Sequence, residues 1–327
     1  MNRGMAIIVA SVLGAGRGLS AQEPQCSAAA TAPAEIACNT MVDAAKEFHS
    51  FAGMIVSGGN PVLGTASTLG GVGHFSASFR VNAIKASLPD PDSAQRNPAP
   101  SGFDGSFPAP VIEAAVGLYR GTGGGLLSVD ALGSAALLQT DRVQGMSVDP
   151  DAPSIGPVDA RFGGTALVIG YGARIGILGG RLRVPTVSVS VMKRHVPRVQ
   201  FGHVYARVVG EANDFADFTT DFDVTNFRAV AGMRVRFADV AAGLGVDHYT
   251  SAVTIRYNDI APQTFLLDLK NTRQVLFLNA GLTAGLVKIV VELGYQTGTD
   301  QRFSTTFADF DPKAGHAFWG AGLRVNF

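Results

Sequence analysis

Residues 287–296 read Val-Lys-Ile-Val-Val-Glu-Leu-Gly-Tyr-Gln. Val287, Ile289, Val291, Leu293 and Tyr295 fall on one face, and Lys288, Glu292, Gly294 and Gln296 fall on the other. A period of two is the period of a β-strand, whose successive side chains point to opposite faces. One face carries only apolar groups and the other carries both charges and glycine. That is a strand with hydrocarbon on one side and a wet interior on the other.

The same pattern returns along the chain at 73–83, 111–120, 127–137, 165–178, 186–194, 226–237, 240–251, 274–284 and 314–327. Ten alternating segments of about ten residues predict an all-β, antiparallel, up-and-down transmembrane β-barrel. A soluble β-sandwich also alternates. The barrel is preferred because the apolar face stays almost free of charge in every segment, edge strands included. Short links at 121–124, 179–184, 238–239 and 285–286 alternate with long polar links at 86–108, 139–162, 209–215, 258–263 and 298–312. Ten strands put both termini on one side, expected to be periplasmic. The stretch 195–222 is ambiguous. It reads as a bulged extension of the fifth strand or as a further strand pair, which would make twelve.

Composition agrees. Lys+Arg and Asp+Glu are 26 each, so the net charge is zero. Charged residues are 16% of the chain, against about 25% in ordinary soluble domains. Hydrophobic residues are 46%, and there are 40 glycines. This excludes a disordered chain and a binder that holds nucleic acid by net basic charge. Met1–Gly4 with Arg3, the apolar run Met5–Leu13 and the small residues up to Ala21 read as a signal peptide, 1–21. The run is too short to span a bilayer as a helix.

Residues 22–71 precede the barrel, which occupies 72–327. Within them, 35–57 reads as a helix with an apolar stripe of Ile36, Val42, Ala45, Phe48, Ala52 and Ile55, stopped by Gly58-Gly59 and Asn60-Pro61. An exported chain meets an oxidising compartment, so Cys26 and Cys38 are a disulfide candidate. The lumen face is rich in glycine. The space this leaves is expected to hold the helix as an N-terminal plug. The expected lumen-lining charges are Arg80, Glu113, Asp130, Arg174, Arg228, Arg234, Arg236, Asp247, Lys288, Glu292 and Arg324. In a low-dielectric lumen most of them should pair across strands. Arg228, Arg234 and Arg236 share one face of one segment, and would favour anions if a path were open.

The last segment, AGHAFWGAGLRVNF, alternates through Trp319, Leu323 and Val325 and ends on Phe327. It resembles the C-terminal insertion signal of bacterial outer-membrane barrels. The resemblance implies a Gram-negative-type outer membrane, with its lipid and the barrel insertion machinery as partners. Gly58–Gly64 (GGNPVLG) resembles a stretch of the long-chain fatty-acid transporter family, which implies an N-terminal plug and passive uptake of hydrophobic molecules.

Passive transport of small or hydrophobic solutes through a narrow plugged lumen is the first functional expectation. A non-conducting structural or surface-interaction barrel is the alternative. A rim hydrolase is the third, since omptin proteases and outer-membrane phospholipases are such barrels; here only His203 near Asp214, Asp217 and Asp221 suggests it. Asp247 and His248 are adjacent on a strand and point to opposite faces, so they form no couple. No metal or cofactor is expected. Gly121–Gly125 reads as a turn, because no Lys-Ser or Lys-Thr pair follows it.

Overall fold

The computed structural model describes residues 25–93, 102–122, 125–140, 146–148, 161–162, 165–179, 185–204, 213–235, 238–259, 262–297, 303, 305 and 315–327. The signal-peptide expectation at 1–21 lies outside them. One long helix, α1 (Ala32–Ser57), precedes the strands β1 (Phe75–Pro89), β2 (Gly102–Tyr119), β3 (Val129–Gln139), β4 (Met146–Val148), β5 (Arg161–Phe162), β6 (Thr165–Leu178), β7 (Thr186–Phe201), β8 (Ala216–Val235), β9 (Ala238–Tyr257), β10 (Gln263–Ala284), β11 (Val287–Gln296) and β12 (His316–Asn326).

Ten of these form a closed antiparallel barrel in the order β1-β2-β3-β6-β7-β8-β9-β10-β11-β12, with β12 paired back to β1. The short β4 and β5 only extend the tips of β7 and β6, at Met146↔Phe201 and Arg161↔Ala166. The wall therefore has ten strands rather than twelve. The ambiguous stretch is the bulged extension. β7 runs on to Phe201, and its register against β8 shifts between Val196 and Val199, around Pro197. A proline inside a sheet needs such a bulge because it cannot donate to the ladder.

β8, β9 and β10 have 20, 20 and 22 residues, about twice what crosses a bilayer. Along each one the two faces exchange character. On β10 the exterior is Leu276, Leu278, Ala280 and Leu282 in one half, then Asp268, Lys270, Thr272 and Gln274 in the other. Its interior goes the opposite way, from Asn279 to Leu269, Leu267 and Phe265, which are buried. On β8 the exterior runs Phe227 to Val235 and then Asp221, Asp223 and Thr225, while the interior turns from Arg228 to Phe222 and Phe218. The half nearest the short turns is built like a membrane barrel. The half nearest the long connections is built like a water-soluble one, with an apolar inside.

α1 lies inside this barrel. Thr31 caps its start, its side chain accepting from the Ala34 N–H at 3.3 Å, with a proline in the first turn. Gly58, at φ 60°, ends it, a conformation that suits glycine. The expected stripe implied one packed face, but 22 of its 26 residues are buried, Asp43, Lys46, Glu47 and His49 among them. A helix enclosed by a wall on every side packs its polar face as well. At the apolar end Phe48 meets Phe51, Phe222 and Phe218 at ring-centroid distances of 5.3, 5.8 and 6.1 Å, and Phe51 stacks on Phe107 at 4.8 Å.

The direction of α1 sets where the described chain begins. β1 begins, and β12 ends, at the short-turn mouth, where Phe75 stacks on Phe327 at 4.5 Å. The described start of the chain is at the other mouth. The Ala30 N–H donates to Oε1 of Gln263, at the long-connection end of β10, and Cys26–Cys38 form a disulfide there. From that mouth the chain runs down the lumen and leaves beside β2, where the Gly71 backbone packs on Gly117. The two ends of the described chain thus lie at opposite mouths, because the helix spends the length of the barrel before β1 begins.

Candidate functional site

The candidate site is the lumen around the end of α1. A helix C-terminus leaves carbonyls without intrahelical donors and carries partial negative charge. The wall supplies what it needs. Arg80 Nη2 donates to the Ser57 carbonyl at 2.5 Å, and Nη1 donates to that of Asn60 at 3.1 Å. Arg228 Nε donates to the Gly59 carbonyl at 2.9 Å and Nη2 to that of Gly58 at 3.3 Å. Asn82 Nδ2 donates to the Ile55 carbonyl at 2.7 Å. On the donor side, the Gly59 and Asn60 N–H groups donate to the two oxygens of Glu292 at 2.8 and 2.9 Å.

These side chains are also tied to each other. Arg80 pairs with Glu113 at 2.6 Å and with Glu292 at 3.5 Å. Arg194 lies 3.9 Å from Glu113 and donates to Asn226, whose Nδ2 donates to Asp247 at 2.6 Å. Arg228 pairs with Asp247 at 2.5 Å. Three guanidinium groups thus face three carboxylates, all buried, so the cluster is balanced. Buried charges persist only when paired in this way.

The grip continues in both directions. Above, Glu47 of α1 meets Arg273 at 3.3 Å and His316 at 2.7 Å, while Asp43 accepts from the Thr305 N–H and hydroxyl, both at 2.7 Å. Below, Arg324 donates to the Leu63 carbonyl at 2.6 Å, and Asp130 accepts from the Leu69 N–H while pairing with Arg174 at 2.6 Å. Two internal voids are described beside α1. One is near Phe51, Phe107 and Met146, the other near Gly58, Met192 and Arg194, and each measures about 10 Å³. That is room for one water apiece.

Of the expected lumen charges, Arg80, Glu113, Asp130, Arg174, Arg228, Asp247, Lys288, Glu292 and Arg324 are buried within the barrel. Arg234 departs from the expectation. Its side chain is 67% exposed at the short-turn mouth, paired with Asp239 at 3.2 Å, because the barrel ends there and leaves the guanidinium in solvent. Arg236 lies outside the described residues. Arg228 is occupied by Asp247 and four carbonyls, those of Gly58, Gly59, Phe227 and Val246, so it gives no open basic lining. Arg273, Asp239 and Glu47 belong to the lumen set but were not expected there, and Arg194 and His316 join them from the polar faces of β7 and β12. Arg194 was legible, since it shares parity with Ser188 and Ser190 on β7.

The lumen glycines make room mainly for side chains of the wall. A Cβ at Gly243 or Gly294 would lie 2.2 Å from the ring of Phe277 or Phe318, and one at Gly322 would lie 2.6 Å from Arg80 Cβ. Large groups lean over glycine neighbours to reach α1. Only a few abut the N-terminal segment itself, such as Gly232 against Ala66.

Of the residues weighed for catalysis, His203, Asp214 and Asp217 share the β7–β8 tip, where the Val204 N–H donates to Asp217 at 3.1 Å, and His248 stands apart on β9. His203 donates its backbone N–H to Asp214 at 2.7 Å, and burial pushes the Asp214 carboxyl up. Asp217 is held by Arg256 at 2.7 Å, and His248 points outward, its Nδ1 2.6 Å from the Thr272 hydroxyl. The four apolar residues of the C-terminal segment, Trp319, Leu323, Val325 and Phe327, lie on the outer face of β12 or just beyond it.

No family model matches this chain. No curated protein matches it either. Among solved structures it is similar to the outer-membrane protease OmpT of Escherichia coli, at 12% identity over 78% of this chain and 97% of that one, with a TM-score of 0.42. It is similar to the translocator domain of the autotransporter NalP from Neisseria meningitidis, at 9% identity over 90% and 99%, TM-score 0.39. Against Ail, the attachment invasion locus protein of Yersinia pestis, identity is 10% over 78% and 99%, TM-score 0.31. At these values no function passes from them to this chain. A likeness to the fatty-acid transporter family is not shown; in this fold Gly58–Asn60 carries the contacts that fasten α1.

Proposed function

We propose that this chain is an integral barrel of a Gram-negative-type outer membrane, and that it is a non-conducting scaffold. In this reading α1 is a permanent plug, and the long connections with the disulfide-tied start of the helix form the working surface. The observation that carries the closed state is the grip on the C-terminus of α1 by Arg80, Arg228 and Glu292. The membrane reading is supported by the apolar exterior of the short-turn half. Tyr171, Tyr295 and Trp319 sit towards its upper edge, and Phe75, Tyr119 and Phe327 at its lower edge, all exposed. Aromatic girdles of this kind flank the apolar band of membrane barrels. The C-terminal segment ending on Phe327 supports the outer membrane and a handover from the insertion machinery. The short-turn mouth then faces the periplasm.

Passive transport of small or hydrophobic solutes would require α1 to leave, breaking the buried contacts along its length. Catalysis is given no part in this reading, since Asp217 is held by Arg256 and His248 points outward to Thr272. The test is single-channel recording of the refolded protein in planar bilayers. The wild type is expected to show no steady conductance, and a chain lacking residues 25–71 to conduct. Steady wild-type conductance would overturn the scaffold reading in favour of transport.

A further inference from the structure

The two mouths of the barrel differ in charge. The short links between strands, 120–128, 179–185, 236–237 and 285–286, hold four arginines, Arg120 among them, and no Asp or Glu. The long connections, 90–101, 140–145, 149–160, 202–215, 258–262 and 297–315, hold more than twice as many Asp and Glu as Lys and Arg. The chain as a whole is neutral. Its connections are therefore divided into a basic end and an acidic end.

Two cations of the basic end are described and free to act. Arg120 is exposed, directly after Tyr119, and makes no hydrogen bond or ion pair among the described residues. Arg234 is engaged only through its Nε, on Asp239. Asp239 is also paired with Lys288, so the charge of Arg234 is surplus. The turn tips at this end are apolar. Leu126, Leu127, Leu178, Val235 and Leu286 are all exposed, Leu286 at 77%. Leu127 sits at φ 58°, in the left-handed region that a side chain beyond Cβ makes costly. Its N–H donates to the Gly176 carbonyl at 2.8 Å, which fixes it there. A turn made only for water would hold Gly or Asn at that position. Exposed aliphatic groups beside arginines suit a lipid interface, where the first enter the acyl boundary and the second reach the phosphates.

We infer that the short-turn rim is an anchor for anionic glycerophospholipid of the periplasm-facing leaflet. The aliphatic turn tips lie against the acyl chains, and Arg120 and Arg234 meet the headgroup phosphates. Each basic residue near an anionic leaflet adds to the attraction, and the acidic mouth repels the same lipid. The rim continues the apolar band through Tyr119 and Phe327, both exposed, which favours lipid over a soluble polyanion. This inference rests on the membrane reading above and adds a lipid class to it.

The test uses the full chain in bilayer nanodiscs made of equal parts phosphatidylglycerol and phosphatidylcholine. Retained lipid is counted by native mass spectrometry. The wild type is expected to keep phosphatidylglycerol about tenfold over phosphatidylcholine, the scale of two partly screened arginines. Arg120→Gln with Arg234→Gln lowers that preference about fivefold. Lys193→Gln, which removes an exposed cation of β7 on the way to the other mouth, leaves it unchanged. Leu127→Asn suits the left-handed backbone and lowers retention of both lipids about twofold. Excess soluble glycerol phosphate displaces no lipid. Heat-modifiable gel migration confirms that each variant folds. Equal retention of the two lipids by the wild type, an equal fall with Lys193→Gln, unchanged retention with Leu127→Asn, or displacement by glycerol phosphate overturns the lipid anchor alone. A chain that does not enter the bilayer overturns the membrane reading with it.

Discussion

Arg80 of β1 holds the last residue of α1, donating to the Ser57 carbonyl at 2.5 Å, with its other contacts on Glu113, Glu292 and Asn60. Removing it strips two buried carboxylates of a partner at once. Arg80→Met is expected to cost about 3–5 kcal/mol, read from urea unfolding of the refolded barrel. Arg80→Lys keeps the charge but loses the fork, and recovers only part. A loss under about 1 kcal/mol for Arg80→Met would mean the network is not what holds α1.

Gly53 of α1 packs against Tyr249 of β9. A Cβ there would lie 2.3 Å from Tyr249 Cε1. Gly53→Ala is therefore expected to destabilise by about 1–3 kcal/mol through overpacking. In a Tyr249→Ala background the same change should cost little, giving a coupling above about 1 kcal/mol in the double-mutant cycle. Additive losses would place the strain elsewhere.

His49 lies in the half of the barrel whose exterior is polar, outside the apolar band. Its Nε2 is 2.9 Å from the Thr220 hydroxyl, and its ring is 4.7 Å from that of Phe222. Burial lowers its pKa from 6.5 to about 3. The unfolded chain then binds the proton more readily, so stability is present above pH 6.5 and is lost as pH falls from there towards 3. The slope reaches about 1.4 kcal/mol per pH unit. His49→Gln should flatten this part of the stability–pH curve, and an unchanged slope would assign it to other groups.

The start of α1 is at the long-connection mouth, where Ala30 is exposed beside Gln263. An epitope inserted at Ala30 should bind antibody from the same side of sealed proteoliposomes as one placed at Asp92. One placed at Gly285, in a short turn, should bind only from the other side. Access at Ala30 from the Gly285 side would reverse the direction of α1.

The sequence made the short-turn halves of the strands readable and little beyond them. Alternation between apolar and polar was clear at 226–237, 240–251 and 274–284 because one face stays apolar there. It faded at 216–224 and 263–273, although the strands continue there. In those stretches Phe218, Phe222, Leu267 and Leu269 carry the apolar character on the inward parity. A rule that equates apolar with outward stops at such a point. The lumen charges on the short-turn halves were readable by parity. Their partners on α1 and in Ser57–Asn60 were not, since a period says which way a side chain faces and nothing about what fills the space it faces. The same limit hid Glu47 and Asp43. They lie off the expected apolar stripe, and they pack against Arg273 and Thr305.

The opposite placement of the two chain ends bears on the order of assembly. Cys26–Cys38 makes a loop with a sequence separation of 12 at the far mouth, and α1 fills the bore below it. A finished ring would have to admit that knot and then pass a helix about 39 Å long past Phe107, Phe218 and Phe222 of the wall. The simpler sequence is that the sheet wraps around a thread already in position. The β1–β12 seam, which joins the first and last strands, is then the final one to shut. Slowing the closure of that seam should leave α1 seated on an open sheet, rather than a complete ring waiting for its core.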